Sequence, residues 1–181
     1  MDFLGRIFLA VAVISAFGFP ARAGLIEQVS CVYDAIPKET RQELAAAYLR
    51  REAPEPGDRL VKAKAKDAAA DAQRTCTKQY DWTGDDSENA TRYMLFHTLA
   101  DDMAAKLSPE TRQIADAYFN QNVGTLINQD DFMTSDVWPI RVDFQAKGLK
   151  GEDVENAIVY LAWTVITQQL RGDFATGKLR G

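Results

Sequence analysis

The sequence predicts an all-α protein, a single helical domain of about seven helices built from a tandem duplication of a three-helix unit of about 70 residues. Three observations carry this. Apolar residues recur at helical spacing in segment after segment, and no stretch alternates with period 2 for long enough to argue a sheet. Helix start signals punctuate the chain, Ser108-Pro109-Glu110 the strongest of them. Two short strings also occur twice in the same order. Glu39-Thr40-Arg41-Gln42 returns as Glu110-Thr111-Arg112-Gln113, 71 residues on. Gly84-Asp85-Asp86-Ser87-Glu88-Asn89-Ala90 returns as Gly151-Glu152-Asp153-Val154-Glu155-Asn156-Ala157, 67 residues on, with Tyr93 and Tyr160 at the same offset. The repeats are placed at about 38–106 and 109–170, with 171–181 as a flexible tail.

Residues 1–23 read as a secretory signal peptide. Arg6 supplies the positive start, residues 7–19 are apolar, and Ala21-Arg22-Ala23 fits the small-x-small cleavage rule after Pro20. The apolar run falls short of the ~20 residues that a helix needs to span hydrocarbon. Cleavage after Ala23 leaves residues 24–181 as one helical domain with 19 basic and 25 acidic residues, and no transmembrane segment. The expected location is the periplasm or the medium.

The helices follow in order. Leu25, Ile26, Val29, Val32, Tyr33 and Ile36 form one stripe of a helix over 25–36. Pro37 precedes a second over 38–51, and two prolines with Gly57 make 52–57 a linker. Asp58 is a suitable cap for a third helix over 58–80, followed by a turn at 81–86. The fourth is expected over 87–106, and the fifth over 109–121 behind Ser108. Residues 124–135 are ambiguous. Asp136 is expected to cap a sixth that ends at Gly148, and Asp153 to open a seventh over 153–170. The seventh is the most apolar, and it and the matching fourth, with Tyr93, Met94, Leu95, Phe96, Leu99 and Met103, are expected at the centre.

Composition narrows the chemistry. A pI near 5.0 argues against nucleic acid, whose phosphates demand a basic surface. One histidine rules out a multi-histidine metal centre, and two cysteines far apart rule out a four-cysteine zinc site and a CxxC motif. Nothing implies a cofactor. In an oxidising compartment Cys31 and Cys76 are most simply one disulfide. Cys31 lies nearly opposite its helix's apolar stripe, which favours a bond to a neighbouring element.

His97 is the one side chain suited to near-neutral acid–base work. Asp101, four residues on, is placed to meet it. The pair reads as a general base or half a metal site. The plainer reading is a core-edge histidine satisfied by one hydrogen bond, since no nucleophile motif accompanies it. Glu88 and Glu155 recur in the acidic strings, where carboxylates either hold a divalent cation or complement a helix N-terminus. Matched bridges Arg41–Glu88 and Arg112–Glu155 would account for the repeated residues structurally. The functional expectation is an exported interaction module for a protein or cell-envelope component, with no catalysis. The alternative is a small-ligand or divalent-cation binder, with His97, Asp101, Glu88 and Glu155 as candidate site residues and a pocket between the two halves.

Overall fold

The computed structural model describes residues 28–49, 56–128 and 137–176, with backbone alone for 56–62. The proposed signal peptide, most of the linker, the Asp136 cap and residues 177–181 lie outside the described residues. Among the described residues every regular element is a helix: α1 (Cys31–Ala35), α2 (Lys38–Leu49), α3 (Pro56–Tyr80), α4 (Gly84–Ala104), α5 (Pro109–Leu126), α6 (Trp138–Ala146) and α7 (Glu152–Thr176).

Local chemistry sets most of the ends. α3 begins at Pro56, two residues before the expected Asp58 cap, because proline at a first helical turn loses an N–H that has no partner there. It stops at Asp81, in the left-handed region (φ 53°), where the Trp82 N–H reaches back to the Thr77 carbonyl. α4 starts at Gly84 rather than at Ser87. Thr83 accepts from the Asp86 N–H at 3.2 Å, and Asp86 accepts from the Thr83 N–H at 2.9 Å, a reciprocal capping box that draws the expected 81–86 turn into the helix. Ser108 caps α5 as expected, accepting from the Thr111 N–H at 3.1 Å, but α5 continues through Gly124 to Leu126. α6 ends in a Schellman motif. Gly148 takes φ 98°, the Leu149 N–H bonds to the Phe144 carbonyl at 3.1 Å and the Gly148 N–H to the Gln145 carbonyl at 3.0 Å.

The C-terminal end differs most from the expectation. Residues 171–176 are not a tail but the last turns of α7, with Asp173 and Phe174 only 4% and 2% exposed. The Phe174 ring meets Trp82 edge-on at 5.4 Å, so apolar burial holds the helix past Gly172.

α4 and α7 form the centre, as their apolar sequences predict, and pack along one another. α1, α2 and α3 surround α4, while α5 and α6 cover α7. Two core clusters result. One gathers Val32, Ile36, Cys76, Trp82, Met94 and Phe96. The other gathers Phe144, Leu149, Val154, Leu161 and Val165. α7 serves both, sending Leu170 and Phe174 to the first and Val154, Leu161 and Val165 to the second. Cys31 and Cys76 stand at disulfide distance, Cα to Cα 6.0 Å, tying α1 to α3.

Candidate functional site

Arg41 organises the region where α1, α2 and α4 meet. One turn into α2, it points back at the end of α1 and donates from Nη1 to the carbonyls of Tyr33 (2.7 Å) and Ile36 (2.8 Å). These carbonyls close a helix C-terminus, where a cation is favoured. The guanidinium carbon sits 3.7 Å from the centre of the Tyr33 ring, and Nε is enclosed without a partner. The Tyr33 hydroxyl donates to Asp101 Oδ2 at 2.5 Å. Burial, then that hydrogen bond and the Asp101 charge, push the Tyr33 phenol up to about 12, against the opposing pull of Arg41. Beside this, Gln42 Nε2 donates to Asp102 Oδ1 at 2.7 Å, joining α2 to α4.

His97 is half-buried between two aromatic rings, Tyr33 at 4.5 Å and Tyr93 at 5.2 Å between centroids. Asp101 lies one turn away as the spacing predicts, but its carboxylate takes the Tyr33 hydroxyl. The anticipated His97–Asp101 hydrogen bond is not formed, and among the described residues ring packing replaces the single bond expected of a core-edge histidine. Burial lowers the His97 pKa below its ordinary value. Asp101 pulls it back up, Arg41 and Arg171 push it further down, and Asp34 raises it. The unfolded chain therefore takes up its proton first. His97 contributes full stability above pH ~6.5 and loses it as pH falls through the folded value. The melting midpoint is expected to decline between pH 7 and pH 5. His97→Phe is expected to flatten that decline, as differential scanning calorimetry across the range would record.

The other two candidates lie elsewhere. Glu88 is exposed near the start of α4, nine residues and about 13 Å along the axis from His97. Glu155, in the first turn of α7, accepts from both terminal nitrogens of Arg141, one of them at 2.9 Å, and that hydrogen bond lowers its pKa. The matched bridges Arg41–Glu88 and Arg112–Glu155 are thus not made. Arg41 holds carbonyls, Arg112 approaches Asp116 at 3.6 Å, and Glu155 holds Arg141. The acidic strings open helices instead, with Asp85 and Asp86 in the first turn of α4 and Glu152, Asp153 and Glu155 in that of α7. Among the described residues no three His, Cys, Asp or Glu side chains converge as metal ligands, so the four candidates do not make the anticipated cation site.

What the structure does gather is a cavity of about 280 Å³ between α1, α2, α4 and α5. Arg41 and Gln42 reach it from the first copy of the repeated string and Arg112 from the second. Tyr33, Lys38, Asp101 and Asp102 add polar groups, and Thr98, Ala104 and Ala105 complete the wall. Sequence reasoning marked Arg41 and Arg112 as repeated but missed Tyr33, Lys38, Gln42 and Asp102 as lining residues. A second cavity of about 290 Å³, mostly apolar, lies between α2, α3 and α4 and is lined by Leu44, Ala47, Tyr48, Ala65 and Leu95 with Glu43 and Lys66. Comparisons with protein-family models, with curated proteins and with solved structures found no significant match.

Proposed function

We propose that the protein is exported and binds a small ligand, without catalysing a reaction, in the cavity lined by Arg41 and Arg112. One observation carries this reading: both copies of the Glu-Thr-Arg-Gln string send their arginine to the same concave polar site. At about 280 Å³ it stands near the lower end of the roughly 300–1,000 Å³ usual for ligand pockets, which fits a metabolite-sized molecule. Export rests on the pattern of residues 1–23. The cysteine pair at disulfide distance is compatible with an oxidising compartment, and no helix among the described residues is long and apolar enough to cross a membrane. Secreted in a bacterial host, the protein is expected to begin at Gly24 by intact mass. A chain that retains Met1 in the cytoplasm would overturn export.

The duplication belongs to the same proposal. α2 packs on α4 as α5 packs on α7, and each repeated acidic string opens one of the two central helices. Against it, α3 has 25 residues and α6 has 9, and Tyr160 donates to Asp116 at 2.7 Å while the Tyr93 ring lies beside His97. The reading is therefore of two matched helix pairs whose intervening helices have diverged. Superposition of α2 and α4 on α5 and α7 tests it, and crossing angles of different class would end it.

Ligand binding is tested by thermal shift against amino acids, organic acids, sugars and phosphates. A ligand that binds only the folded state raises the midpoint by mass action. At least one class is expected to do so for the wild type and to a smaller extent for Arg112→Gln. A flat response throughout would overturn the pocket.

A second reading, a protein or cell-envelope partner, has its own support. Trp138 is 62% exposed and Val142, one turn along α6, is 47% exposed. The Arg141–Glu155 ion pair joins this helix to α7 beside them. Exposed aromatics of this kind are enriched where proteins meet. Trp138→Asp is expected to leave any small-molecule response intact while abolishing association with a partner in a pull-down.

A further inference from the structure

We infer that the cavity selects a small zwitterion of the α-amino-acid kind, held by its carboxylate at Lys38 and Arg112 and by its ammonium at Asp101 and Asp102. The inference rests on the reading of this cavity as the binding site. It comes from following each charged group to its partners.

Arg41 is committed within the protein. Its Nη1 serves two carbonyls and its face lies on Tyr33, so it shapes the wall. Arg112 lines the cavity and is only lightly engaged, by Nε at 3.6 Å from Asp116. Lys38 is exposed at the rim. On the acidic side, Asp101 uses Oδ2 for Tyr33 and Asp102 uses Oδ1 for Gln42, so each keeps a second oxygen with open lone pairs. Those two bonds also fix the carboxylates in place before any ligand arrives. Among the described residues no ion pair joins Lys38 or Arg112 to Asp101 or Asp102, although all four line one cavity.

Three cations, of which Arg41 keeps its charge while bound to neutral carbonyls, and two anions line one space, and their arrangement constrains what enters. A simple anion gains at Lys38 and Arg112 but is repelled by Asp101 and Asp102. A simple cation meets the reverse. A dipolar molecule with its charges a few ångströms apart satisfies both sides, and electrostatic complementarity of this kind acts chiefly as specificity. The volume admits a molecule of metabolite size and leaves Thr98, Ala104 and Ala105 to meet its uncharged part.

Isothermal titration of the purified protein tests this with the α-amino acids, their N-acetyl and methyl-ester derivatives, succinate and 1,4-diaminobutane. At least one α-amino acid is expected to bind, with each singly charged derivative at least tenfold weaker. Arg112→Gln is expected to erase the discrimination against the methyl ester, and Asp102→Asn that against the N-acetyl form. Lys38→Gln, at an exposed position, repeats the first comparison should Arg112→Gln fold poorly. Derivatives that bind as well as the parent, or succinate or 1,4-diaminobutane binding alone, would overturn the zwitterion while leaving the pocket in place. No heat from any probe would overturn the pocket itself.

Discussion

Replacing Cys31 and Cys76 together by serine is expected to lower stability by about 4 kcal/mol, the chain-entropy value for opening a loop of this size. The two positions are 45 residues apart in sequence and their Cα atoms 6.0 Å apart. For a domain of this length that corresponds to a fall in melting midpoint of roughly 8–16 °C. The reason lies in what the crosslink joins. α1 is only five residues long, and a helix that short has no independent stability in water. It is held by Val32 and Ile36 in the first core cluster, by Arg41 at its end, and by the bond to α3. Because Tyr33 on α1 lines the cavity, the double variant is also expected to weaken the proposed ligand binding under conditions where it remains folded. Melting with and without reductant checks the first part. A midpoint that ignores both reductant and substitution would show that the cysteines do not bond.

Phe174→Ala is expected to cost about 3–5 kcal/mol, the range for emptying a buried aromatic site. The side chain is 2% exposed, packs against Trp82 and belongs to the cluster that contains Met94 and Phe96. Val159→Ala on the same helix, at an exposed position, is expected to stay within about 0.5 kcal/mol. Urea unfolding of the two variants side by side measures both. Equal and small effects would return the end of α7 to the frayed tail that its composition suggests.

That contrast marks where the sequence was legible. The all-helical class, the central pair and the Ser108 cap could be read because they depend on periodicity and on contacts three or four residues away. The start of α4 was misplaced because residues 81–86, with Gly84 among them, read as a turn, while the reciprocal cap of Thr83 and Asp86 starts the helix inside that segment. The end of α7 was missed because Gly172 and polar neighbours weaken the local pattern, whereas Trp82, from a distant turn, supplies the burial that extends the helix. The surroundings of His97 were legible only in part. Helical spacing correctly put Asp101 beside His97, yet it gave no notice of a tyrosine 68 residues upstream that would take the carboxylate. The repeated arginines were visible as a pattern, but their meeting at one cavity depends on how α2, α4 and α5 are arranged in space, and no local rule carries that information.

The double service of α7 has a consequence for how the molecule opens. Its 25 residues, about 37 Å of continuous helix, supply side chains to both core clusters. Neither cluster can come apart while the middle of that rod keeps its backbone bonds and its neighbours. Amide protons around Leu161 and Val165 should then exchange with solvent only through global unfolding, with protection that follows denaturant at the full equilibrium slope, while those of α1 and the first turns of α3 exchange through smaller, local openings. The molecule is thus expected to behave in exchange as one cooperative unit, because a single helix carries part of both clusters.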